Sequence, residues 1–200
     1  MTSLILSVAL WGLIHSLLAS LSFKAWLEKR LGEKAMRAYR LFFNLFAGLS
    51  LLPVLWLAKT LPDRTLYQVP APWKYLLWLG QALAALGEVL GVLQTDVWDF
   101  IGLRQIIAPQ SVTEEKNLVV TGLYRYMRHP LYTFGLLYVW LSPTMTLNSL
   151  VLYLAATVYI LIGIFFEERK LLREFGEAYA AYKKETPMLL PRLKLKTSAA

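Results

Sequence analysis

The chain has 200 residues, of which 57% are hydrophobic and 17% are charged, and its mean hydropathy is +0.48. It contains no cysteine, which excludes disulfides, thiolate metal ligands and a cysteine nucleophile, and two histidines are too few for a zinc site made by protein side chains alone. The net charge of +8 comes from basic residues that flank apolar segments, which is typical of membrane proteins and not of nucleic-acid-binding surfaces. We therefore predict a single all-α membrane domain, 1–200, with no metal and no nucleic-acid partner.

Five apolar segments are candidates for membrane helices. They cover residues 4–23, 41–58, 75–93, 131–141 and 150–166. The first has 20 residues and reaches about 30 Å as a helix, the thickness of a bilayer core. Basic residues follow it and none precedes it, so we expect a retained span and not a cleaved secretory signal. The link 142–148 carries Pro143 and Asn148 but no charge, which predicts a tight turn.

The basic residues predict the orientation of these segments. Residues 24–40 hold six Lys and Arg, residues 94–130 hold four, and the chain after Phe166 holds eight. With five spans and an exterior N-terminus, 18 of the 21 basic residues lie inside, as the positive-inside rule requires. We expect an inner or plasma membrane protein of bacterial type whose C-terminus faces the cytoplasm.

Polar residues within the apolar segments are the next candidates for function. Glu88 shares one helix face with Gly80 and Ala84, and small residues let a neighbouring helix approach closely. Glu88 should therefore point into the helix bundle, where a carboxylate is either functional or holds helices together. His15 and Asn44 favour hydrogen bonds between helices.

The segment between the third and fourth spans ends in Arg128-His129-Pro130. Pro130 suits the first turn of a helix, and it forces His129 into an extended conformation. Glu167 and Glu168 end the fifth span at the same depth, so a cationic and an anionic pair meet at the cytoplasmic end of the bundle. Arg128 either serves a binding site or pairs with Glu168 as an interfacial anchor.

Apolar side chains recur at helical spacing after Glu168. One stripe of the predicted helix holds Leu171, Phe175, Ala178, Tyr179 and Tyr182, and charged residues occupy the other faces. This pattern predicts an amphipathic helix that lies at the membrane interface.

Several of these motifs recur in order over about 70 residues and resemble the isoprenylcysteine carboxyl methyltransferase and phospholipid methyltransferase superfamily. They are Gly122 through Tyr132, Glu167-Glu168 and Phe175-Gly176-x-x-Tyr179. The resemblance implies a cofactor, S-adenosyl-L-methionine, held between the last two membrane helices and the C-terminal segment, without a Rossmann domain. The implied cofactor-binding residues are Tyr124, Arg128, His129, Pro130, Tyr132, Glu167 and Glu168. With this resemblance, the chain divides into a three-helix part, 1–93, a methyltransferase-like part, 94–191, and a basic tail, 192–200.

Finer motifs are similar to the methanethiol S-methyltransferase branch and the related NnrU proteins. They are Phe100-Ile101-Gly102-Leu103-Arg104-Gln105, Pro143 to Thr146, Tyr159 to Gly163 with Glu167 to Arg169, and Pro187 to Pro191. The resemblance favours methanethiol as methyl acceptor. Two alternatives stay open, namely an isoprenylcysteine carboxylate or phospholipid acceptor, and a non-catalytic NnrU-like membrane factor.

A thiol acceptor must lose a proton, because the thiolate is the nucleophile. His129 or Glu88 would accept that proton, and the sequence does not choose between them. Arg104 and Gln105, just past the third span, are the predicted acceptor-side residues, with Arg104 also a catalytic candidate. The expected partners are a small-molecule or lipid-like acceptor and membrane lipid.

Overall fold

A computed structural model describes residues 1–108 and 118–191. The described residues form ten α-helices, one 3-10 turn and two short strands. The elements are α1 (Thr2–Ala19), α2 (Leu21–Leu31), α3 (Glu33–Met36), α4 (Tyr39–Thr60), β1 (Thr65–Gln68), α5 (Trp73–Leu93), α6 (Val97–Ile101), α7 (Arg104–Ile107), the 3-10 turn (Gly122–Arg125), α8 (Pro130–Trp140), β2 (Thr144–Thr146), α9 (Leu147–Phe175) and α10 (Glu177–Glu185). The predicted basic tail, 192–200, lies outside the described residues.

Four of the described helices are long and apolar enough to cross a membrane. They are α1, α4, α5 and α9, with mean hydropathies between 1.7 and 2.3. Together with the predominantly helical structure, they indicate an integral membrane protein. Helix α8 has 11 residues and is about 16 Å long, too short to cross a bilayer core, so the structure does not confirm a fifth full span.

The chain forms two compact units by its contacts. The first contains residues 1–69, 96–108 and 144–156, and the second contains residues 70–95, 118–143 and 157–191. Helix α9 therefore contributes its first turns to the first unit and its remainder to the second.

Aromatic contacts join α1 and α4 in the first unit. The His15 ring stacks on Trp11 with centroids 4.9 Å apart and lies 4.7 Å from the Phe43 ring. The Trp11 indole N–H donates to Ser50 Oγ at 3.0 Å. The predicted role of Asn44 in joining helices fits its contacts, since its amide donates to the last carbonyls of α6 at 2.8 and 3.0 Å.

The predicted turn at 142–148 contains a strand. Thr144–Thr146 pairs antiparallel with Thr65–Gln68, so the structure is not purely helical. Asp63 Oδ1 accepts the Asn148 backbone N–H at 3.0 Å, and the Asn148 amide donates to the Ala58 carbonyl at 3.1 Å. These bonds fix the start of α9, whose N-terminal N–H groups otherwise lack partners.

In the second unit α5 packs closely against α8, as the small residues of α5 predict. A Cβ atom on Gly87 would lie 2.5 Å from the Phe134 ring, and one on Gly91 would lie 2.8 Å from Leu131. Ala84 is 3% exposed. Because the helices touch through glycine backbone, even a methyl group at Gly87 would force them apart.

The last membrane helix extends further than the apolar pattern indicates. Helix α9 continues through Glu167 and Glu168 to Phe175, where the sequence predicts an end at Phe166. Gly176 then adopts φ +53°, a conformation that favours glycine, and α10 begins at Glu177. The predicted amphipathic helix is thus split between the end of α9 and α10.

Candidate active site

The residues of the Arg128-His129-Pro130 and Glu167-Glu168 motifs come together in the second unit. Pro130 occupies the first turn of α8, as the sequence predicts. His129 is the N-cap residue, and its φ of −125° and ψ of 65° differ from the extended conformation that the sequence predicts. The two glutamates lie on α9, and α10 with the segment after it completes the cluster.

Arg128 and Glu168 form a buried ion pair. The Arg128 Nη2 and Nε atoms lie 2.5 and 2.8 Å from Glu168 Oε1, and the two side chains are 8% and 9% exposed. Lys183 Nζ binds the second oxygen, Oε2, at 2.6 Å. Both carboxylate oxygens of Glu168 therefore have cationic partners within the protein itself.

The same arginine holds the C-terminal segment, residues 186–189. Arg128 Nη1 donates to the carbonyls of Thr186 and of Lys183, the latter at 3.1 Å. The Arg128 and His129 backbone N–H groups donate to the Pro187 and Met188 carbonyls at 2.9 and 3.2 Å. The His129 backbone N–H thus already has a partner within the protein.

Two hydroxyl groups also tie the C-terminal region to the motif. Thr133, in the first turn of α8, donates to the Leu189 carbonyl at 2.8 Å. Tyr182 of α10 donates to the Tyr124 carbonyl at 2.5 Å. Sequence patterns do not single out Thr133 or Lys183, because one hydroxyl or one charge has no spacing to recognise.

His129 is buried between carboxylates. Its ring is stacked on Tyr132, with Nε2 3.4 Å from Glu168 Oε1 and Nδ1 3.8 Å from Glu167 Oε2. Burial lowers the pKa of His129 below its usual 6.5, and this effect outweighs the two carboxylates, which raise it. The ring is therefore neutral at pH 7, and its contact with Glu168 is a hydrogen bond and not an ion pair.

Glu167 differs from its neighbour in having an unused oxygen. Its Oε2 atom is buried and has no hydrogen-bond partner among the described residues. Tyr124 and Tyr132 both interact electrostatically with Glu167. Burial raises the pKa of Tyr124, and the negative charge of Glu167 raises it further by a smaller amount. A buried acceptor without a donor is costly, so this oxygen is suited to an external donor.

Gln94 is a residue of this region whose role the sequence did not reveal. Its side-chain oxygen accepts the Leu123 backbone N–H at 2.8 Å, and it fills the space where a Cβ of Gly122 would lie. Gly122 has φ +58°. The pair therefore fixes the 3-10 turn that carries Tyr124.

The predicted acceptor-side residues Arg104 and Gln105 belong to the first unit. Arg104 pairs with Asp96 at 2.5 Å, and the Gln105 amide donates to Asp99 at 2.7 Å. Asp99 also pairs with Arg40 of α4 at 2.7 Å. The structure therefore gives both residues partners within their own segment. Their role toward the acceptor stays a prediction.

Glu88 lies in the second unit, on the face of α5 that meets α8. Its Oε1 atom is 2.9 Å from the position that a Cβ of Gly135 would occupy. As the sequence predicts, the carboxylate points toward a neighbouring helix.

Comparisons with known proteins identify the class of this chain. A family model described as phospholipid methyltransferase matches residues 75–178. The chain is 34% identical to methanethiol S-methyltransferase 2 of Bradyrhizobium diazoefficiens, over 94% of this chain and 72% of that protein. It is also 34% identical to the methanethiol S-methyltransferase of Crocosphaera subtropica, over 95% and 75%, and 31% identical to that of Mycobacterium tuberculosis, over 88% and 72%. No solved structure matches the chain.

These matches show that the protein is a membrane methyltransferase. The chain belongs to the phospholipid methyltransferase family, as the motifs indicate.

Proposed function

We propose that this methyltransferase uses S-adenosyl-L-methionine to methylate a small thiol, with methanethiol as acceptor and dimethyl sulfide as product. The observation that carries the proposal is the similarity to proteins named methanethiol S-methyltransferase, which extends over more than nine tenths of the chain. It includes the N-terminal spans as well as the motif region.

The cluster in the second unit fits the cofactor. The unpartnered, buried Oε2 of Glu167 would accept a hydrogen bond from the amino group or a ribose hydroxyl of the cofactor. Tyr124 and Tyr132, which lie beside Glu167, supply aromatic surface that favours a sulfonium by cation–π attraction. The bound cofactor supplies an activated methyl group, and these residues hold it in one orientation and exclude water.

Arg128 and Glu168 serve this site by positioning. Four of the five N–H donors of Arg128 are used within the protein, two on Glu168 and two on the carbonyls of Thr186 and Lys183. The Tyr179 hydroxyl also interacts with Arg128, so the guanidinium has little capacity left for the cofactor carboxylate. We therefore assign the cofactor's amino group to Glu167, and assign Glu168 to fixing Arg128, His129 and the C-terminal segment.

We also propose that the N-terminus is outside and that the C-terminus and the cofactor site face the cytoplasm. The distribution of 18 of 21 basic residues supports this orientation. Helix α8 then enters the bilayer from the cytoplasmic side as an incompletely spanning fifth segment, and α10 lies at the interface. A cofactor made in the cytoplasm would reach the site directly.

A phospholipid acceptor is the second candidate, favoured by the description of the matching family. Purified full-length protein in nanodiscs, given cofactor with a labelled methyl group and methanethiol, separates the two. We expect label in headspace dimethyl sulfide and not in extracted lipid. Label in lipid alone would replace the thiol with a lipid acceptor. Absence of cofactor binding by calorimetry would contradict both.

A further inference from the structure

Glu88 carries a carboxyl group within the membrane helix α5. Among the described residues, none forms a hydrogen bond or ion pair with this group, and Glu88 is only partly buried. A carboxylate at membrane depth costs about 3 kcal/mol on insertion scales. A protein that keeps such a group without a partner leaves it available to a ligand or a proton.

The surrounding packing accommodates this carboxylate specifically. Along the α5–α8 contact, side chains of α8 fill the spaces at Gly87 and Gly91, and Leu141, the residue after α8, fills the space at Gly80. At Gly135 the roles of the two helices are exchanged. The glycine belongs to α8, and Glu88 Oε1 of α5 fills the space beside it. Gly135 therefore provides the room in which the carboxyl group lies.

We propose that Glu88 accepts the proton of the thiol acceptor, and that Gly135 positions its carboxylate for this step. The inference rests on the proposed function and names a catalytic residue within it. The S–H bond of the thiol breaks and its proton passes to the Glu88 carboxylate. The sulfur electron pair forms the new S–C bond, while the methyl–sulfonium bond of the donor breaks and leaves its electron pair on the donor sulfur. The proton is then released to water.

The two candidate proton acceptors, His129 and Glu88, differ in their contacts. The side chain of His129 is 4% exposed, and its two ring nitrogens face Glu168 and Glu167. Glu88 has no such partner among the described residues and is only partly buried. His129 therefore belongs to the buried framework of the cofactor site, and Glu88 is the free base.

The position of Glu88 also suits an in-line transfer. Gly135 lies six residues after His129, so the Glu88 carboxylate is about 9 Å further along α8 than the motif. An in-line displacement needs the acceptor and the leaving group on opposite sides of the methyl group. This requirement is met if the polar methyl donor binds at the His129 end of α8 and the apolar thiol reaches Glu88 from within the membrane.

The test compares kcat/KM for methanethiol between wild type and Glu88→Gln from pH 6 to 9, in nanodiscs with the full chain. No charged or titratable described side chain pairs with Glu88. The residues of α8 and its C-cap that face α5 here, Leu131, Phe134 and Leu141, are apolar. We expect a loss of about 10²- to 10⁴-fold at neutral pH, typical of removing a general base. The difference in kcat/KM between the variant and wild type should shrink about tenfold for each unit of rising pH, because the thiol then ionises without a base.

Cofactor affinity, measured by calorimetry, should change less than about twofold in Glu88→Gln, because the cluster around Glu167 is untouched. An equal loss of activity at every pH, or no loss, would overturn the assignment of Glu88. An inactive wild type that binds cofactor would instead refute the thiol acceptor, so the two failures are distinguishable.

Gly135→Ala provides a second test that keeps the carboxylate. The added Cβ would meet only the flexible end of Glu88, at 2.9 Å, so the fold should tolerate it while the carboxylate moves. We expect kcat to fall at least about tenfold, as misplacement of a reacting group predicts. Gly163→Ala is the matched control, since a Cβ there meets no described atom within 4 Å, and it should match wild type. Equal rates for both variants would contradict the role of Gly135.

Discussion

Arg128 and Glu168 are joined by two N–H···O contacts of 2.5 and 2.8 Å onto a single carboxylate oxygen, with both side chains less than one tenth exposed. Because Arg128 also holds the carbonyls of Lys183 and Thr186, this pair links α9 to the C-terminal segment. Its partners are within the protein, so we interpret it as the framework of the cofactor site.

Removing one member of this pair should destabilise the protein strongly. In Glu168→Gln the buried guanidinium of Arg128 loses its countercharge, which costs about 3–5 kcal/mol. Thermal unfolding in detergent should show a markedly lower midpoint. Lys183→Met is the comparison, because the Lys183 side chain is 43% exposed and exposed ion pairs contribute about 1 kcal/mol or less. Equal shifts for the two variants would contradict the framework role.

Glu167→Gln should act on binding and not on stability. The substitution replaces a charged acceptor whose Oε2 has no described partner, so a charge-assisted bond to the cofactor's ammonium is lost. We expect calorimetry to give a Kd at least about tenfold weaker, which corresponds to about 1.4 kcal/mol, with an unchanged melting midpoint. The exposed Glu185→Gln removes the same charge elsewhere in the C-terminal region and should bind normally. Wild-type affinity in Glu167→Gln would refute this binding role.

The α5–α8 contact should tolerate no added carbon at Gly87. A Cβ there would lie 2.5 Å from the Phe134 ring, so Gly87→Ala should cost about 1–3 kcal/mol through overpacking. Gly48→Ala, where no described atom lies within 4 Å of the new Cβ, should unfold like wild type or slightly later. Thermal melts of the two variants under the same conditions measure the difference.

Acid should weaken the fold through His129. Its pKa is lowered on folding by burial, so the unfolded chain binds more protons below pH 6.5 and stability rises with pH in that range. The stability that depends on a neutral His129 is fully present above pH 6.5, and it is lost as the pH falls through the lower pKa of His129 in the folded state. Melting midpoints between pH 5 and 8 should show this slope, and His129→Gln should flatten it. A slope unchanged by the substitution would assign the acid sensitivity to other groups.

The cluster shows how far the sequence alone predicts a site. The motifs predict that Arg128 and His129 meet Glu167 and Glu168, and the structure brings the four together. The different surroundings of the two glutamates could not be predicted, because adjacent residues on a helix point about 100° apart and nothing local says which faces the cations. Their roles toward the cofactor stay a prediction.

Other parts of the fold depend on contacts that have no local pattern. Strands of four and three residues are too short for alternation to reveal the pairing of Thr65–Gln68 with Thr144–Thr146. The ion pair of Arg104 with Asp96 and the hydrogen bond of Gln105 to Asp99 have no spacing that singles them out in the sequence. The small residues of α5, in contrast, predict a close approach by another helix, and the structure shows that this helix is α8.

Dimethyl sulfide formation by the purified full-length protein tests the proposed function most directly. The measurement is headspace dimethyl sulfide against the S-adenosylhomocysteine formed, with methanethiol and S-adenosyl-L-methionine supplied and each omitted in turn. We expect one dimethyl sulfide for each S-adenosylhomocysteine, and neither product without both substrates. S-adenosylhomocysteine formed without dimethyl sulfide, or no turnover by protein that binds the cofactor, would contradict the thiol methyltransferase assignment.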